Sequence, residues 1–561
     1  MSETGKMTKQ ETAAHCLVRL LAENGVEKAF CVPGESYLAV LDALYDARDR
    51  IELVTCRQEG GASNMADAYG KLTGKPGICF VTRGPGATNA SIGVHTAFQD
   101  STPMILFIGQ VARDQFDREA FQEVDYRQMF APLCKWVAQI ENGERMAEYV
   151  TRAFHVARSG RPGPVVLALP EDMLLDEIPR REIVAARPAH AAPSAEDMVE
   201  LHAALKQARR PLVLLGGSGW DEAAVEQTRK FIERTDLPAA AAFRCQDLFD
   251  NRLDNYIGDV GIGINPKLAE RIKSSDLILS LGPRLGEMTT SGYQLFDIPF
   301  PKQKIIMVHS GAEELGHVYR PYKAITSSMK NIAGALAELP TAKKPLWAAW
   351  RAEARADYLA WSRPPATVGD VDLGAIYAYL QDHMPTDAIL TNGAGNYAIW
   401  LHRFMRYGAY RSQLAPTSGA MGYGLPAAVA AKVTRPERPV VCFAGDGCFM
   451  MNGQELATAM RHQAHIVILL FNNSMYGTIR MHQEKNYAAR VIATDLTNPD
   501  FAAYARAFGA HGVRVEKTAE FAPAFEQALR ADKTTLIEVM VDPQALTPAA
   551  TLDQIRNTHA E

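Results

Sequence analysis

Short apolar runs alternate with segments of helical periodicity through the first third of this chain. Apolar runs at 28–32, 77–82 and 104–109 read as strands, and the helical patterns include 12–24 and 60–71. Strands that are apolar throughout are typical of sheets covered on both faces, and the helices between them supply the crossovers that parallel pairing requires. This part of the chain is therefore predicted to form a parallel sheet covered by helices.

The same alternation returns twice further along the chain. Residues 178–195 are rich in Pro, Ala and Arg and lack periodicity, which predicts a linker, and 341–370, ending in Ser-Arg-Pro-Pro at 362–365, is interpreted as a second connection. The pattern predicts an α/β protein with three doubly wound parallel-sheet domains. Their expected limits are 1–182, 195–342 and 366–548.

Composition narrows the class of protein. With 561 residues, 47% of them apolar and 22% charged, the chain has an ordinary globular composition. Its net charge of −5, from 59 basic and 64 acidic residues, gives no overall basic field for nucleic acid or anionic lipid. No apolar run approaches a membrane span, and the N-terminal MSETGKMTKQE lacks the apolar centre of a secretory signal. The eight cysteines include no C-x-x-C pair, so a cytoplasmic enzyme with reduced thiols is expected.

Two polar residues follow apolar runs in the last third of the chain. Asp446 follows the run 440–444, and Asn473, 27 residues later, follows the run 466–471. Because open α/β sheets bind ligands at the carboxyl ends of their strands, these side chains are expected to lie together at that edge. A carboxylate and an amide oxygen suit Mg²⁺ that also binds the phosphate oxygens of a ligand.

The residues around Asp446 favour a diphosphate as that ligand. Gly445 and Gly447 would let the backbone approach phosphate oxygens closely. A helix beginning near Gly453 is expected to point its positive end at them. Taken singly, Gly-Asp-Gly is most often a turn and Asn-Asn a loop; it is the spacing and the two strand contexts together that indicate a site.

This combination resembles the cofactor signature of thiamine-diphosphate (ThDP) enzymes, in the branch of acetolactate synthases, pyruvate oxidases and 2-oxoacid decarboxylases. The resemblance covers nearly the whole chain. Further segments match in order: RQEGGA at 57–62, GPGATN at 84–89, GQV at 109–111, AFQE at 120–123 and GAMGYGLP at 419–426. It implies a pyrimidine-binding first domain, a central Rossmann-like domain and a third domain that binds diphosphate and Mg²⁺.

The resemblance implies roles for three residues near the aminopyrimidine of ThDP. Glu59 matches the glutamate that bonds N1′ and activates the cofactor, although a carboxylate at a helix N-terminus is also favoured by the helix dipole alone. Met421 matches the apolar wedge that folds the two cofactor rings together, and its amide and the Gly419 carbonyl would bond the pyrimidine. In the family this glutamate comes from another subunit, which implies a homodimer or homotetramer.

The remaining cofactor contacts are also carried over from the resemblance. The expected metal ligands are Asp446, Asn473 and the backbone carbonyl of Met475. The candidate cofactor contacts beside them are Gly395, Asn396, Gly445, Gly447 and Cys448.

Candidate substrate residues are found in both end domains. Gln110, Phe121 and Gln122 match positions on the substrate side of acetolactate synthases, with Gln122 a candidate catalytic residue. Glu35 lies in the loop where related decarboxylases carry a proton-transfer group, and its alternative is a plain loop carboxylate. His95 and His482 are pocket candidates, although a lone histidine is more often a core or surface group.

Three departures from acetolactate synthase stand out. The arginine that binds the acceptor 2-oxoacid aligns with Met288, and the tryptophan that sizes the acceptor pocket aligns with His482. Arg284 or Arg480 could replace the missing guanidinium, which would otherwise grip a carboxylate in bidentate fashion. The acidic pair that helps to hold FAD aligns near His309 and Gly311.

FAD is doubtful on this alignment. The turn Gly216-Gly217-Ser218-Gly219 resembles a glycine turn of FAD-binding relatives, but it is not the dinucleotide fingerprint G-x-G-x-x-G. Most such turns simply connect a strand to a helix.

The resemblance implies an enzyme that uses ThDP and Mg²⁺ to decarboxylate a 2-oxoacid such as pyruvate and to transfer the acyl-anion equivalent to a carbonyl acceptor or a proton. The main alternative is a ThDP lyase acting on 2-hydroxy ketones or 2-hydroxyacyl-CoA thioesters, which shares every cofactor motif. A flavin-dependent pyruvate oxidase would need tightly bound FAD. A catalytically inactive binding subunit is disfavoured because the cofactor residues are intact.

Overall fold

The computed structural model describes residues 9–340 and 345–557. The chain divides into two compact units, Met1–Ala189 and His190–Glu561. The predicted α/β class is confirmed, since the units contain three six-stranded sheets in which every neighbouring pair of strands is parallel. The predicted domain limits at residues 1 and 342 lie outside the described residues. Within the described ranges, no helix has both the length and the apolar character that crossing a membrane requires.

The first unit contains one six-stranded sheet and a separate antiparallel pair. Its strands are β1 (Gln10–Thr12), β2 (Lys28–Cys31), β3 (Glu52–Thr55), β4 (Gly77–Val81), β5 (Met104–Gln110), β6 (Trp136–Gln139), β7 (Pro164–Pro170) and β8 (Glu177–Pro179). Its helices are α1 (Ala13–Glu23), α2 (Leu38–Asp46), α3 (Glu59–Thr73), α4 (Pro85–Asp100), α5 (Tyr126–Phe130) and α6 (Met146–Arg158). The strand order is β3-β2-β4-β5-β7-β6, with β1 and β8 forming the antiparallel pair. Strands β4, β5 and β7 are buried along their whole length, as their apolar sequences predict.

The second unit begins with a central sheet of Rossmann order, β11-β10-β9-β12-β13-β14. Its strands are β9 (Pro211–Leu215), β10 (Ala239–Ala241), β11 (Tyr256–Asp259), β12 (Leu277–Leu281), β13 (Lys304–His309) and β14 (Lys323–Thr326). Its helices are α7 (Ala195–Gln207), α8 (Glu222–Thr235), α9 (Pro266–Ser274), α10 (Met329–Ala337) and α11 (Ala348–Trp361).

Helix α11 lies inside the segment predicted to be a connection, so that prediction is wrong for residues 348–361. Tyr358 and Ala354 pack into the apolar core of the central sheet. Arg355 donates to the backbone carbonyls of three residues that precede or begin β11, Asn251, Arg252 and Tyr256. The helix belongs to the central sheet because it supplies both apolar cover and hydrogen-bond donors.

The last sheet follows in the same unit and has the strand order β16-β15-β17-β18-β20-β19. Its strands are β15 (Ile389–Asn392), β16 (Gln413–Leu414), β17 (Val440–Gly445), β18 (Val467–Asn472), β19 (His511–Val515) and β20 (Thr535–Met540). Its helices are α12 (Leu373–His383), α13 (Tyr397–Phe404), α14 (Gly424–Thr434), α15 (Asp446–Phe449), α16 (Leu456–Arg461), α17 (Gly477–Asn486), α18 (Phe501–Ala507), α19 (Thr518–Arg530) and α20 (Leu552–Asn557). Numbered within its own sheet, this order matches that of the first unit.

The order of the last sheet creates a crevice at one point. Strands β15 and β17 are neighbours, but the chain continues from β15 to β16 on one side and from β17 to β18 on the other. Ligands bind open α/β sheets at such switch points, beyond the carboxyl ends of the strands. The segments that leave β15, β17 and β18 at this edge begin at residues 393, 446 and 473.

Candidate active site

Asp446 and Asn473 leave the last sheet side by side. Strands β17 and β18 pair in parallel with Gly445 opposite Phe471, so the residues that follow them emerge at the same edge. Asp446 is 3% exposed, whereas Asn473 is half-buried. The predicted placement of the two residues at adjacent strand ends is confirmed.

The Asp446 carboxylate is buried and held by donors from two directions. Its Oδ1 accepts from the Gly447 amide at 2.9 Å, and its Oδ2 accepts from Asn498 Nδ2 at 2.8 Å. The same Asn498 amide donates to Asn472 Oδ1 at 3.0 Å, which ties the two strand ends together. Burial raises the pKa of Asp446 despite these donors, so a cation at this carboxylate would favour its ionised form.

The loop after β18 is also fixed in place. Met475 donates from its amide to Asn473 Oδ1 at 3.3 Å, and Ser474 between them has a φ of +55°. A second segment lies against this loop, since the Tyr476 amide donates to the Thr494 carbonyl at 2.8 Å. The loop is therefore held from both sides.

The donor set at this edge fits Mg²⁺. One carboxylate, one amide oxygen and one backbone carbonyl, from Asp446, Asn473 and Met475, are oxygen donors of the kind that this ion takes together with phosphate oxygens. In the part of the chain that the structure describes, no cluster of three His, Cys, Asp or Glu side chains could hold a metal.

A cavity of about 240 Å³ opens at this edge of the sheet. The residues of the last sheet that are predicted to contact the cofactor or metal all line it: Gly395, Asn396, Gly419, Met421, Gly445, Asp446, Gly447, Cys448, Asn473 and Met475. These residues come from four separate stretches of sequence. The aromatic side chains in the lining are Tyr377, Tyr397, Trp400, Phe471 and Tyr476.

Glycine is required at two points of this lining. A Cβ at Gly445 would lie 2.9 Å from a ring carbon of Tyr397, and one at Gly447 would lie 2.6 Å from a ring carbon of Tyr476. Both rings would have to move into the cavity or away from it. The glycines therefore keep the backbone of the Gly-Asp-Gly turn against the cavity, as binding of a diphosphate requires.

A short helix that the sequence did not predict comes before the predicted one. Strand β17 runs straight into α15, which begins at Asp446 itself. The predicted helical segment follows from Gly453, as a single helical turn that continues into α16. Gly453 does not line the cavity, whereas Asp446, Gly447 and Cys448 at the start of α15 do.

Asn396 connects three walls of the cavity. Its Oδ1 accepts from Thr478 Oγ1 at 2.8 Å, at the start of α17, and its Nδ2 donates to the Leu546 carbonyl at 3.4 Å. The side chain is 8% exposed. Its hydrogen bonds place Asn396 as a brace of the cavity as well as a lining residue.

The turn that carries Gly419 and Met421 is anchored at its far end. The Gly422 amide donates to Cys448 Sγ at 3.3 Å, and its carbonyl accepts from Asn452 Nδ2 at 3.0 Å. Gly419 has a φ of +70°, a conformation that favours glycine. Met421 is half-buried and lines the cavity, consistent with the predicted apolar wedge.

In the first unit, Glu59 is the first residue of α3. Asn89 on α4 donates from Nδ2 to Glu59 Oε2 at 3.0 Å. The other oxygen lies 3.5 Å from the position of a Cβ at Gly86, so the Gly-Pro-Gly turn before α4 passes close to the carboxylate. Glu59 is half-buried, and its carboxylate is held by one side-chain donor.

The three predicted substrate residues of the first unit differ from one another in exposure and in contacts. Gln110 is 2% exposed and its amide is engaged with its own loop: Nε2 donates to the Val124 carbonyl at 2.9 Å and Oε1 accepts from the Val111 amide at 3.0 Å. Phe121 is 72% exposed. Gln122 has a φ of +66° and packs against Gly84, where a Cβ would lie 3.0 Å from that of Gln122.

The remaining candidates are less enclosed. Glu35 is exposed, and its carboxylate lies 3.8 Å from Arg83 Nη2. His95 is half-buried on α4. His482 is exposed on α17 and does not line the cavity of its unit.

Both arginines considered as substitutes for the missing acceptor arginine are paired with carboxylates. Arg284 Nε lies 3.1 Å from Glu314 Oε2. Arg480 Nε lies 3.0 Å from Glu484 Oε1. Met288, which stands where the arginine is expected, is half-buried.

Glycines at the turn after β9 are explained by packing. A Cβ at Gly217 would lie 2.0 Å from the Gly282 carbonyl oxygen, and one at Gly216 would lie 2.7 Å from the Pro283 Cβ. His309 is buried, and its Nδ1 accepts from the Gly311 amide at 3.0 Å. The close contact of this turn with Gly282 and Pro283 therefore explains the glycines, and no bound dinucleotide is needed to explain them.

Several residues of the site carry no signal that sequence reasoning could use. Asn498 lies 52 residues from Asp446 in an ordinary helix N-terminal sequence, Asn-Pro-Asp. Thr478 and Leu546 touch Asn396 from elements that come after it in the chain. Their contribution depends on tertiary contacts alone.

Comparison with known families agrees with this geometry. Three family models match the chain: the thiamine pyrophosphate enzyme N-terminal TPP binding domain at residues 11–129, the central domain at 198–336 and the C-terminal TPP binding domain at 393–539. The last of these includes all ten of the cavity residues named above.

Curated relatives match over nearly the full length. The chain is 31% identical to an acetolactate synthase large subunit of Parasynechococcus marenigrum, over 94% of this chain and 87% of the relative. It is also 31% identical to the acetolactate synthase isozyme 2 large subunit of Escherichia coli, over 94% of this chain and 95% of the relative. A probable acetolactate synthase large subunit of Methanocaldococcus jannaschii is 29% identical over 95% of this chain. The chain therefore belongs to the family of thiamine pyrophosphate-dependent enzymes, in which it is similar to the acetolactate synthases.

Proposed function

We propose that this enzyme uses ThDP and Mg²⁺ to decarboxylate a 2-oxoacid such as pyruvate and passes the acyl-anion equivalent to an aldehyde, a ketone or a proton. The observation that carries the proposal is the cavity in which the ten expected cofactor and metal residues of the last sheet meet. The names of the acetolactate synthase relatives support a pyruvate-like donor.

In this proposal the last sheet holds the metal and the diphosphate. Asp446, the Asn473 side chain and the Met475 carbonyl bind Mg²⁺. The backbone at Gly445, Gly447 and Cys448, and that at Gly395 and Asn396, lies against the diphosphate. The glycines support this assignment because side chains there would displace Tyr397 or Tyr476.

When bound, ThDP supplies an acidic thiazolium carbon that can add to a carbonyl group. Glu59 is assigned to hold a proton at N1′ of the aminopyrimidine, with its carboxylate oriented by Asn89. Met421 and the Gly419 carbonyl would hold the aminopyrimidine in the orientation that the reaction requires. Gln122 and Glu35 remain candidates for proton transfer to the substrate.

The acceptor is proposed to carry no carboxylate. A second 2-oxoacid would need a cation for its carboxylate, and the aligned position holds Met288. Arg284 and Arg480 are already engaged by Glu314 and Glu484. An aldehyde, ketone or proton needs no such partner.

The proposal also includes the assembly and the location of the enzyme. A homo-oligomer, at least a dimer, is proposed because relatives in the family serve one cofactor from two subunits. A cytoplasmic location is proposed on the ground that all eight cysteines are thiols and seven of them are buried. The domain limits 1–182, 195–342 and 366–548 are retained as part of the proposal.

Product analysis tests the reaction. The enzyme, loaded with ThDP and Mg²⁺, is incubated with pyruvate and other 2-oxoacids, with and without an aldehyde. We expect CO₂ release from a 2-oxoacid and a 2-hydroxy ketone when the aldehyde is present. Acetolactate as the main product from pyruvate alone would contradict an acceptor without a carboxylate. Cleavage of added 2-hydroxy ketones or 2-hydroxyacyl-CoA without CO₂ release would contradict the decarboxylase.

Substitution of Glu59 tests the cofactor chemistry. Glu59→Gln keeps the shape and removes the acid, so turnover should fall by about 10²-fold or more. Glu222→Gln is the matched control, since Glu222 is likewise the first residue of a helix, α8, and is exposed in the central sheet domain. Equal turnover in the Glu59 variant and the wild type would overturn the assignment.

A further inference from the structure

The segment after β10 of the central sheet contacts the last sheet within the same unit. It includes Arg244, which is 8% exposed and has a φ of +60°. A left-handed backbone costs an arginine about 1 kcal/mol or more and persists only where surrounding contacts impose it. The segment is therefore held in a specific conformation by what it contacts.

The Arg244 guanidinium caps the turn that leads to Gly419. Its Nη1 donates to the Pro416 carbonyl, and the same carbonyl accepts from the Gly419 amide at 3.0 Å. The turn from Pro416 to Gly419 therefore closes around an oxygen that carries a buried charge-assisted hydrogen bond. Gly419 and Met421, just beyond it, line the cavity.

Two further residues of the segment bind the chain before that turn. Asp247 Oδ2 accepts from the amides of Ser412 and Gln413 at 3.0 and 3.2 Å. The Gln246 amide donates to Gln413 Oε1 at 2.7 Å, and its side chain donates to the carbonyl of His402 at 2.8 Å. His402 lies near the end of α13, the helix that begins at the cavity residue Tyr397.

The loop with Gly419 and Met421 is thus anchored at both ends by different sheets. At its far end, Gly422 is bound by Cys448 and Asn452, which follow β17, the strand that ends just before Asp446. At its near end, Pro416 is bound by Arg244 of the central domain. Movement of either anchor would shift Gly419 and Met421 relative to the Gly-Asp-Gly turn.

We propose that Arg244 and Asp247 are positioning residues for the aminopyrimidine of ThDP, acting through the turn from Pro416 to Gly419. The proposal rests on the proposed function. It assigns to the central domain a contribution to cofactor binding that needs no FAD. It also predicts different effects on the two halves of the cofactor, because Arg244 bonds the turn before Gly419, whereas Asp446 and Asn473 follow β17 and β18.

Calorimetric titration of the apoprotein with two probes tests the separation. One probe is ThDP with Mg²⁺, and the other is inorganic pyrophosphate with Mg²⁺. In Arg244→Gln, affinity for ThDP should fall about tenfold to a hundredfold, the effect of losing a buried hydrogen bond from a charged group. Affinity for pyrophosphate should stay within about twofold, since its contacts are untouched. A general loss of structure would weaken both.

The matched control is Arg355→Gln. Arg355 is also 8% exposed, and its guanidinium also donates to backbone carbonyls, but these belong to the central domain. This variant should lose thermal stability and keep its affinity for ThDP. Steady-state kinetics add a second readout, in which Arg244→Gln lowers kcat at saturating ThDP and leaves the KM for the 2-oxoacid unchanged.

Each outcome decides between the inference and the proposed function. Wild-type apoprotein that binds no ThDP would refute the proposed function. Wild-type binding together with equal ThDP affinity in Arg244→Gln, or equal losses for both probes, would refute the positioning role. If Arg244→Gln does not fold, Asp247→Leu decides, since it removes the acceptor of both amides: a larger loss of affinity for ThDP than for pyrophosphate supports the inference, and unchanged ThDP affinity overturns it.

Discussion

The ion pair between Glu484 on α17 and Arg556 allows a direct test of what stabilises the cavity wall. The Glu484 carboxylate is fully buried and accepts from Arg556 at 2.9 and 2.7 Å, from Arg480 at 3.0 Å and from the Ala489 amide at 3.2 Å. Arg556 belongs to α20, so the ion pair connects the C-terminal helix to the helix whose first residues, Gly477 to Ile479, line the cavity. Arg556→Met removes one of the two guanidinium partners and keeps most of the apolar stem.

The magnitude follows from the pKa of Glu484. Hydrogen bonds from Arg556, the largest cause, lower it from 4.5 to about 2, although burial opposes the shift. A carboxyl whose pKa falls this far on folding contributes on the order of 3 kcal/mol of stability at neutral pH. Arg556 supplies two of the four hydrogen bonds, so its removal should cost about 2 kcal/mol at neutral pH.

The sign of the pH dependence is fixed by the direction of the shift. Because the pKa is lower in the folded state, the stabilisation is complete above about pH 4.5 and is lost as the pH falls towards 2. The difference in stability between wild type and Arg556→Met should therefore be constant near neutral pH. It should shrink in acid as Glu484 becomes protonated in both proteins.

Urea unfolding of wild type and variant, at neutral pH and in steps below about pH 4.5, measures this difference. Arg530→Met is the control, because its 3.7 Å pair with Glu526 is exposed and should contribute less than about 0.5 kcal/mol. A cost for Arg556→Met that stays the same in acid would show that packing of the arginine stem, and not its charge, stabilises α20. A cost no larger than that of Arg530→Met would refute the ion-pair argument altogether.

Two substitutions test the metal and diphosphate edge. Asn498→Ala removes the donor that orients Asp446, and isothermal titration in the presence of ThDP should show an Mg²⁺ affinity about 10- to 100-fold weaker. The control is Asn255→Ala, which removes a buried asparagine bonded to the Leu237 carbonyl and should leave the Mg²⁺ affinity unchanged. Equal Mg²⁺ affinities in the wild type and both variants would contradict the orienting role of Asn498. Gly447→Ala places a Cβ 2.6 Å from the Tyr476 ring and should weaken ThDP binding about tenfold or more. The control is Gly334→Ala on α10, whose added Cβ meets no atom within 4 Å; it should leave ThDP binding unchanged and stabilise the protein by about 0.5 to 1 kcal/mol. A Gly447→Ala variant that binds ThDP as tightly as the wild type would refute the close-approach argument.

The parts of the fold that sequence predicted well are those set by local pattern. Strands β4 and β5 are buried from end to end, and their apolar runs predicted them within one residue at each end. The same holds for β17 and β18, whose ends place Asp446 and Asn473 at one edge. Burial on both faces leaves an uninterrupted apolar run, and such a run can be read without knowledge of the partner strands.

The errors have a common cause in contacts between distant segments. The sequence pattern of 341–370 does not reveal helix α11, because the stability of this helix depends on the central sheet. Tyr358 packs against that sheet, and Arg355 donates to the Tyr256 carbonyl in β11. Helix α15 begins directly after β17, where the sequence indicated only a Gly-Asp-Gly turn. Pattern alone cannot show where a chain goes after it leaves a strand.

The departures from acetolactate synthase lie mainly in the central domain, and the structure shows what that domain does without them. Gly282 and Pro283 pack closely against its glycine turn at 216–219, and its His309 ring accepts a hydrogen bond from the Gly311 amide. The same domain sends Arg244 and Asp247 into the last sheet, where they bind Pro416 and the strand before it. These contacts support the proposal that the central domain positions the loop with Met421, a role that needs no nucleotide.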